Sequence, residues 1–430
     1  MRFNDDNVVI ADAFCRAILV GIEDARDTAR SMDELAALAE AAGAEVAGVL
    51  LQARERPDRG TYIGRGKLEE LAAFCASAEV DTVICNDELS GIQLRNIEDK
   101  LGLRVIDRTI LILDIFAARA GSKEGKLQVE LAQLRYRLPR LSGFGKALSS
   151  LGGGIGTRGP GEKKLETDRR HIQSRMDEIR RELKEAASHR AVQRARRKKS
   201  GLPLVALVGY TNAGKSAVMN HILRATENGD KTVPEKDMLF ATLDPYRRRI
   251  RLRNNKEFIL IDTVGFVSKL PHSLVKAFRS TLEEVADADL LVHIVDGARA
   301  DCDFHIKVVS EVLAELGASG KDMITVYNKS DLICAPAQLF PISPGALAVS
   351  AVRGDNMDRL LADIESAIFW DLRPVRLLIP YDRGDLVSYL SEKTPVSARA
   401  YTEDGTRVDT KLREADCRRL DRYIVRDEAP

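Results

Sequence analysis

The residues with the clearest chemistry are Gly209-Tyr210-Thr211-Asn212-Ala213-Gly214-Lys215-Ser216, which match G-x-x-x-x-G-K-[ST] at every fixed position. They follow the apolar run Leu204-Val205-Ala206-Leu207-Val208 and open the helical pattern Ala217 to Leu223, so the stretch reads as strand, glycine loop, helix. Glycines let the backbone curl until consecutive N–H groups face phosphate oxygens, and the helix N-terminus adds its positive dipole end. In such a loop Lys215 reaches the β- and γ-phosphates and the Ser216 hydroxyl holds Mg²⁺.

Further pieces of the same chemistry follow in order. Phe240-Ala241-Thr242-Leu243-Asp244 precedes a hairpin expected over 247–254 and 257–262, and Thr242 is the candidate switch threonine that ligates Mg²⁺ and senses the γ-phosphate. A strand ends in Asp262-Thr263-Val264-Gly265, where Asp262 would hold Mg²⁺ through water and the Gly265 N–H would meet the γ-phosphate. Asn328-Lys329-Ser330-Asp331 selects the base. The Asp331 carboxylate accepts from the ring N–H and amino group of guanine, which adenine cannot offer together, and a wrong base leaves buried polar groups unpaired. Asn328 bridges the loops, the Lys329 stem packs over the base, and Ser350-Ala351-Val352 supplies the last base-facing loop. These motifs in this order make the ligand GTP. Lys215, Thr242, Gly265 and Asn212 are the candidate catalytic residues. Phe266 stands where Ras-like proteins place a water-orienting glutamine, so slow hydrolysis, speeded by a partner, is expected. Asn212 matches the asparagine with which similar loops of potassium-dependent G proteins hold K⁺ beside the phosphates, adding K⁺ to Mg²⁺ as an expected ion.

The elements that must position these residues make an α/β multidomain chain. Before the loop, strand-like runs at Ala17–Val20, Val46–Leu51, Val80–Cys85 and Leu103–Ile106 alternate with helical patterns, which argues an N-terminal α/β subdomain over 1–115. Leu127, Leu131, Leu134 and Leu138 form one heptad seam, and Leu165, Ile172, Met176, Ile179 and Leu183 a second. Joined by the glycine-rich stretch 142–161, they predict a long antiparallel helical hairpin over 116–200 with that loop at its tip. A Ras-like P-loop GTPase domain is expected over 201–370 and a small C-terminal α+β domain over 371–430, with a hairpin turning at Asp404-Gly405.

Composition bounds the partners. The net charge of +1 leaves nucleic-acid contact to a local patch, and from Lys163 to Lys199 Lys and Arg outnumber Asp and Glu by roughly eight. A cationic arm beside a glycine loop suits RNA. Six scattered cysteines without C-x-x-C spacing fit reduced thiols, and no signal peptide or membrane-length apolar run is seen, so a cytoplasmic protein is expected. Gly60 to Lys67 is a weaker glycine loop before a helix, a candidate second anion site. Asp301-Cys302-Asp303-Phe304-His305 reads as a loop entering a helix rather than a metal cluster. Nothing demands a dimer.

Taken together, Tyr62 to Lys67, Asn86 to Ser90, Gly125 to Leu131, Gly152 to Glu162, Phe240 to Pro245, and Asp262 to Phe266 with Leu270-Pro271-His272 resemble the HflX family of translation-factor-related GTPases. The resemblance spans nearly the whole chain to the end of the GTPase domain. It implies binding to the large (50S) ribosomal subunit, splitting of stalled or stressed ribosomes, and a hairpin tip placed against rRNA near the peptidyl transferase centre. It also implies ATP binding by the N-terminal domain, and loose membrane association in some members without stable insertion. Ala217-Val218 and Tyr246 depart from the family's usual residues, at positions with no expected phosphate or base contact. Two other readings stand beside it: a regulatory GTP switch binding a protein or membrane partner, and an ATP-driven RNA-binding protein.

Overall fold

The computed structural model describes residues 15–23, 28–143, 160–226, 238–240, 245–252, 256–269, 284–333, 346–394 and 396–425. It divides into two compact units: Met1–Ala195 with Lys236–Asp244 and Val264–Leu282, and Arg196–Glu235 with Pro245–Thr263 and Glu283–Pro430.

In the first unit, β1 (Cys15–Glu23), β2 (Ala44–Ala53), β3 (Thr82–Cys85) and β4 (Arg104–Asp107) form a parallel sheet in the order β2-β1-β3-β4. Central β1 is buried from Ala17 to Gly21, the continuous apolar run that a parallel strand covered on both faces requires. Helices α1 (Thr28–Ala41), α2 (Arg65–Ser77) and α3 (Gly91–Leu101) connect the strands, and Leu68, Leu71 and Ile97 pack with Ile18, Val20 and Val83. α3 starts where Ser90 and Gln93 cap each other's backbone N–H reciprocally. Asp107 caps α4 (Arg108–Arg119), its Oδ1 accepting from Ile110 N at 2.9 Å. Its Oδ2 accepts from Leu89 N at 2.9 Å and from the Tyr136 hydroxyl.

The helical hairpin forms as its two seams predict. Leu127 and Leu131 of α5 (Lys123–Arg137) bury against Met176 and Ile179 of α6 (Pro160–Ser200), flanked by Leu134, Leu138, Ile172 and Leu183. Arg175 clasps Glu130 with two hydrogen bonds, at 2.7 and 2.9 Å. The tip at 144–159 and the Leu165 side chain lie outside the described residues.

The segment Val264–Leu282 also belongs to this unit. Arg108, nearly fully buried, pairs with Glu34 and donates to Ser268 Oγ at 3.1 Å and Asn86 Oδ1 at 3.0 Å. Lys269 pairs with Asp87 at 2.9 Å, and Asp87 also accepts from the Tyr62 hydroxyl at 2.6 Å. Phe240 meets Phe116 edge-on, centroids 4.6 Å apart.

In the second unit, β5 (Leu204–Gly209), β6 (Tyr246–Arg251), β7 (Glu257–Asp262), β8 (Leu290–Asp296), β9 (Met323–Asn328) and β10 (Leu347–Ala348) form a six-stranded sheet in the order β10-β9-β8-β5-β7-β6. All pair parallel except β6, the antiparallel edge partner of β7. Helices α7 (Lys215–Ala225), α8 (Cys302–Glu315) and α9 (Met357–Ile368) belong to the same unit, and residues of α7 and α9 share a core with β5 and β8. Beyond α9, β11 (Arg373–Ile379), β12 (Val396–Thr402) and β13 (Gly405–Leu412) form an antiparallel sheet with α10 (Gly384–Lys393) and α11 (Glu414–Arg419), the expected α+β module. Among the described residues no helix is long and apolar enough to cross a membrane.

Candidate functional site

In an open parallel sheet the carboxyl ends of the strands share one edge, where ligands bind. Here Gly209 ends β5, Asp262 ends β7, Asp296 ends β8 and Asn328 ends β9. The sheet therefore gathers three separate motifs before any side-chain contact is considered.

The loop Gly209 to Ser216 is closed by contacts that only glycine permits. Gly209 has φ +156°, and a Cβ there would meet the Ile294 carbonyl oxygen at 2.2 Å. Gly214 has φ +89°, and its Cβ would lie 2.2 Å from Asn328 Nδ2. Asn212 adopts φ 59° at an exposed position, while Thr211 and Ala213 are buried. Lys215 is buried, its Nζ donating to the carbonyls of Gly209 at 3.2 Å and Tyr210 at 2.9 Å. Burial pushes its pKa down to about 8, opposed by the Asp262 carboxylate. His293 on β8 is driven down to about 4 by burial and then by Lys215, so it stays neutral beside the lysine.

Ser216 Oγ donates to Asp262 Oδ2 at 2.6 Å. A hydroxyl and a carboxylate facing each other at the head of a helix are hard oxygen donors, the set that suits Mg²⁺. Thr263 Oγ1 donates to the Leu207 carbonyl at 2.7 Å and ties the end of β7 to β5. Phe240, Val264 and Gly265 belong to the first unit. There Phe240, Val264 and Phe266 are buried apolar side chains. Ala241, Thr242, Leu243 and Asp244 lie outside the described residues.

The motif Asn328 to Asp331 and the loop Ser350-Ala351 meet at this edge of the sheet. Asn328 Nδ2 donates to the Ala213 carbonyl at 3.0 Å, and its Oδ1 accepts from Ala351 N at 3.1 Å, so one amide ties the phosphate loop to the loop after β10. Ser350 Oγ donates to Asp331 Oδ1 at 2.6 Å and itself accepts from Arg353 N at 3.1 Å. The Ser350 hydroxyl is the leading cause holding the Asp331 carboxyl below its ordinary range, so Asp331 stays ionised and fixed in direction. Ser330 N donates to the Val349 carbonyl at 3.1 Å, and Val352 is 81% exposed beside them.

Two residues of this site, Asp296 and His221, belong to no motif. Lys329, at φ 64°, pairs with Asp296 at 2.8 Å, which fixes the stem assigned to the base face. His221 on α7 bonds the Ala351 carbonyl through Nδ1 at 3.2 Å; a carbonyl only accepts, so the ring carries its proton there. Asp296 could have been found as a carboxylate ending a parallel strand, as Asp262 does; His221 gives no such signal.

The glycine loop of the first unit is built differently. Gly60 N and Thr61 N donate to Asp58 Oδ1, Tyr62 N to the Asp58 carbonyl, Ile63 N to the Thr61 carbonyl and Gly64 N to Gln52 Oε1. These amides are engaged within the loop's own domain, which is a turn into α2. Around Asp301 to His305, no group of three or more metal-ligating side chains occurs among the described residues.

Comparison with known proteins completes the description. Family models match in chain order: "GTP-binding GTPase N-terminal" over residues 29–117, "GTP-binding GTPase Middle Region" over 119–197, "50S ribosome-binding GTPase" over 204–329 and "HflX C-terminal domain" over 341–429. A GTPase HflX from Caldanaerobacter subterraneus subsp. tengcongensis is 50% identical over 411 residues, covering 95% of this chain and 94% of that one. The GTPase HflX of Escherichia coli is 38% identical over 418 residues, 95% of this chain and 96% of that one. Among solved structures, a GTP-binding protein from Sulfolobus solfataricus in complex with GDP aligns at 25% identity with TM-score 0.44, covering 83% of this chain and 99% of that one.

Proposed function

The chain belongs to the HflX family of GTPases, and from that premise we propose that it binds the large ribosomal subunit and uses GTP to split stalled or stressed ribosomes. The observation that carries the nucleotide half of this reading is the Asn328 bridge from Ala213 to Ala351 beside an Asp331 aimed by Ser350. It joins phosphate loop and base loop into one recognition frame.

In this reading the loop amides from Asn212 to Ser216 and the Lys215 ammonium take the charge of the β- and γ-phosphates. Ser216 and Asp262, together with Thr242 as the sequence expects, would hold Mg²⁺, which when bound would neutralise charge developing on the phosphoryl oxygens. The Gly265 N–H receives the γ-phosphate, and Asn212 in its exposed left-handed conformation is the residue assigned to K⁺. Phe266 offers the attacking water neither donor nor acceptor, so the isolated chain turns over slowly and the ribosome completes the site.

The ribosomal half is supported by α6. One of its faces is spent on the seam with α5, while Arg169, Arg180, Arg181 and Lys184 stand exposed. A protein effector has no need of a long cationic arm; a phosphate backbone does. The test measures GTP hydrolysis with and without purified 50S subunits at two salt concentrations. Stimulation that weakens as salt rises is expected; no stimulation, or stimulation indifferent to salt, overturns the ribosomal reading and leaves the regulatory switch.

A further inference from the structure

The loop Gly209 to Ser216 carries a ring stack whose partner lies outside the motif. Tyr210, the first residue after Gly209, is buried, and its ring lies face to face with that of His305 at the start of α8. The centroids are 3.8 Å apart and the planes 18° from parallel. His305 is buried as well. Its ring is flanked by Asp301, with Nε2 3.6 Å from Asp301 Oδ2. Asp301 is in turn gripped by Arg299, whose Nε and Nη2 donate to the two carboxylate oxygens at 2.8 and 3.2 Å. On the other side, the Tyr210 backbone carbonyl is the closer of the two acceptors of Lys215 Nζ. A continuous series of contacts thus runs Arg299, Asp301, His305, Tyr210, Lys215.

We propose that His305 is a positioning residue for GTP hydrolysis: by stacking on Tyr210 it fixes the stretch of loop whose carbonyl aims the Lys215 ammonium at the phosphates. The inference rests on the reading of this loop as the GTP site. Three observations carry it. Both rings are buried, so the stack is held by its surroundings rather than formed in solvent. Beside the His305 ring lies Asp301, an acid that is itself oriented by two hydrogen bonds from Arg299. Tyr210 then has no room to move its backbone without breaking the stack, and the lysine is bonded to that backbone. A lysine displaced by a fraction of an ångström still binds a nucleotide, since several amides share the phosphates, but it serves the transition state less well. The effect therefore falls on kcat more than on KM.

The test compares His305→Leu, which fills the space without an aromatic face, with His305→Phe, which keeps the face. An aromatic pair of this kind corresponds to a factor of about two to ten. His305→Leu is expected to lower kcat by about fivefold with KM and thermal midpoint nearly unchanged, and His305→Phe to restore kcat to within about twofold of the natural chain. In a Tyr210→Leu background, His305→Leu is expected to do no further harm, because the pair acts as a unit. Equal rates for the Leu and Phe variants, or additive losses in the double variant, overturn the inference. GDP binding by the natural chain, measured in parallel, separates the two levels. A chain that binds GDP while the variants behave alike loses only the brace; a chain that binds no GDP loses the GTP site and the brace together.

Discussion

Asp331 and Lys215 are both ionisable groups whose surroundings are arranged for a ligand, and each makes a prediction with a definite sign. The Asp331 carboxyl is held below its ordinary range, first by the Ser350 hydroxyl, so the charged form that the proposed guanine contact needs persists as pH falls. Ser350→Ala removes that leading cause, and the carboxyl titrates closer to its ordinary value. GDP affinity measured from about pH 7 down to about pH 4 should begin to fall at a higher pH in Ser350→Ala than in the natural chain. Superimposable profiles would show that Ser350 does not tune Asp331. Lys215 runs the other way. Burial lowers its pKa from 10.5 to about 8, so between those values the unfolded chain binds more protons than the folded one and stability rises with pH. Lys215→Met removes that dependence. It should raise the nucleotide-free thermal stability at pH 7 by roughly 1–3 kcal/mol while abolishing GTP hydrolysis. A destabilised Lys215→Met would mean that the two carbonyl hydrogen bonds outweigh the desolvation of the charge.

At the scale of elements, the legible parts were those whose physics is local. The loop Gly209 to Ser216 needs glycine where a Cβ would strike the Ile294 carbonyl or Asn328, so its geometry is written in its residue types. The two seams of the hairpin are visible because the spacing of apolar residues alone decides which face of α5 and α6 buries. Ile179 lies fully buried in that seam, and Ile179→Ala should destabilise the chain by about 2–4 kcal/mol, read as a lower thermal midpoint. A midpoint unchanged by Ile179→Ala would mean that the seam contributes little to folding. What could not be read depends on pairs distant in sequence. Ser350 aims Asp331 from 19 residues away and His221 meets Ala351 across 130. Arg108 holds Ser268 across 160, and no spacing rule connects such residues. Strand ends were also missed: β1 runs from Cys15 to Glu23, although only its apolar centre announces itself, because its ends are fixed by pairing with β2 rather than by hydropathy.

For the molecule as a whole, charge distribution makes the sharpest claim. Acidic and basic residues nearly cancel, 65 against 66, so the chain has no general attraction to polyanions. Any steep salt dependence of ribosome binding must then arise from a few local contacts, and α6 is where exposed cations collect on a face left over from packing. Neutralising a cation that touches a phosphate removes one released counterion, which lowers the slope of log affinity against log salt by about one. Arg169→Gln, Arg181→Gln and Lys184→Gln, combined in one variant, should therefore flatten the salt dependence of 50S binding by about three if all three touch phosphate. GTP affinity of the free chain should stay as it was, since none of the three belongs to the nucleotide frame. A slope unchanged by the triple variant would move the RNA contact elsewhere on the chain. Because the two readouts are measured on the same protein, a binding defect caused by misfolding shows itself in both and cannot pass for a lost phosphate contact.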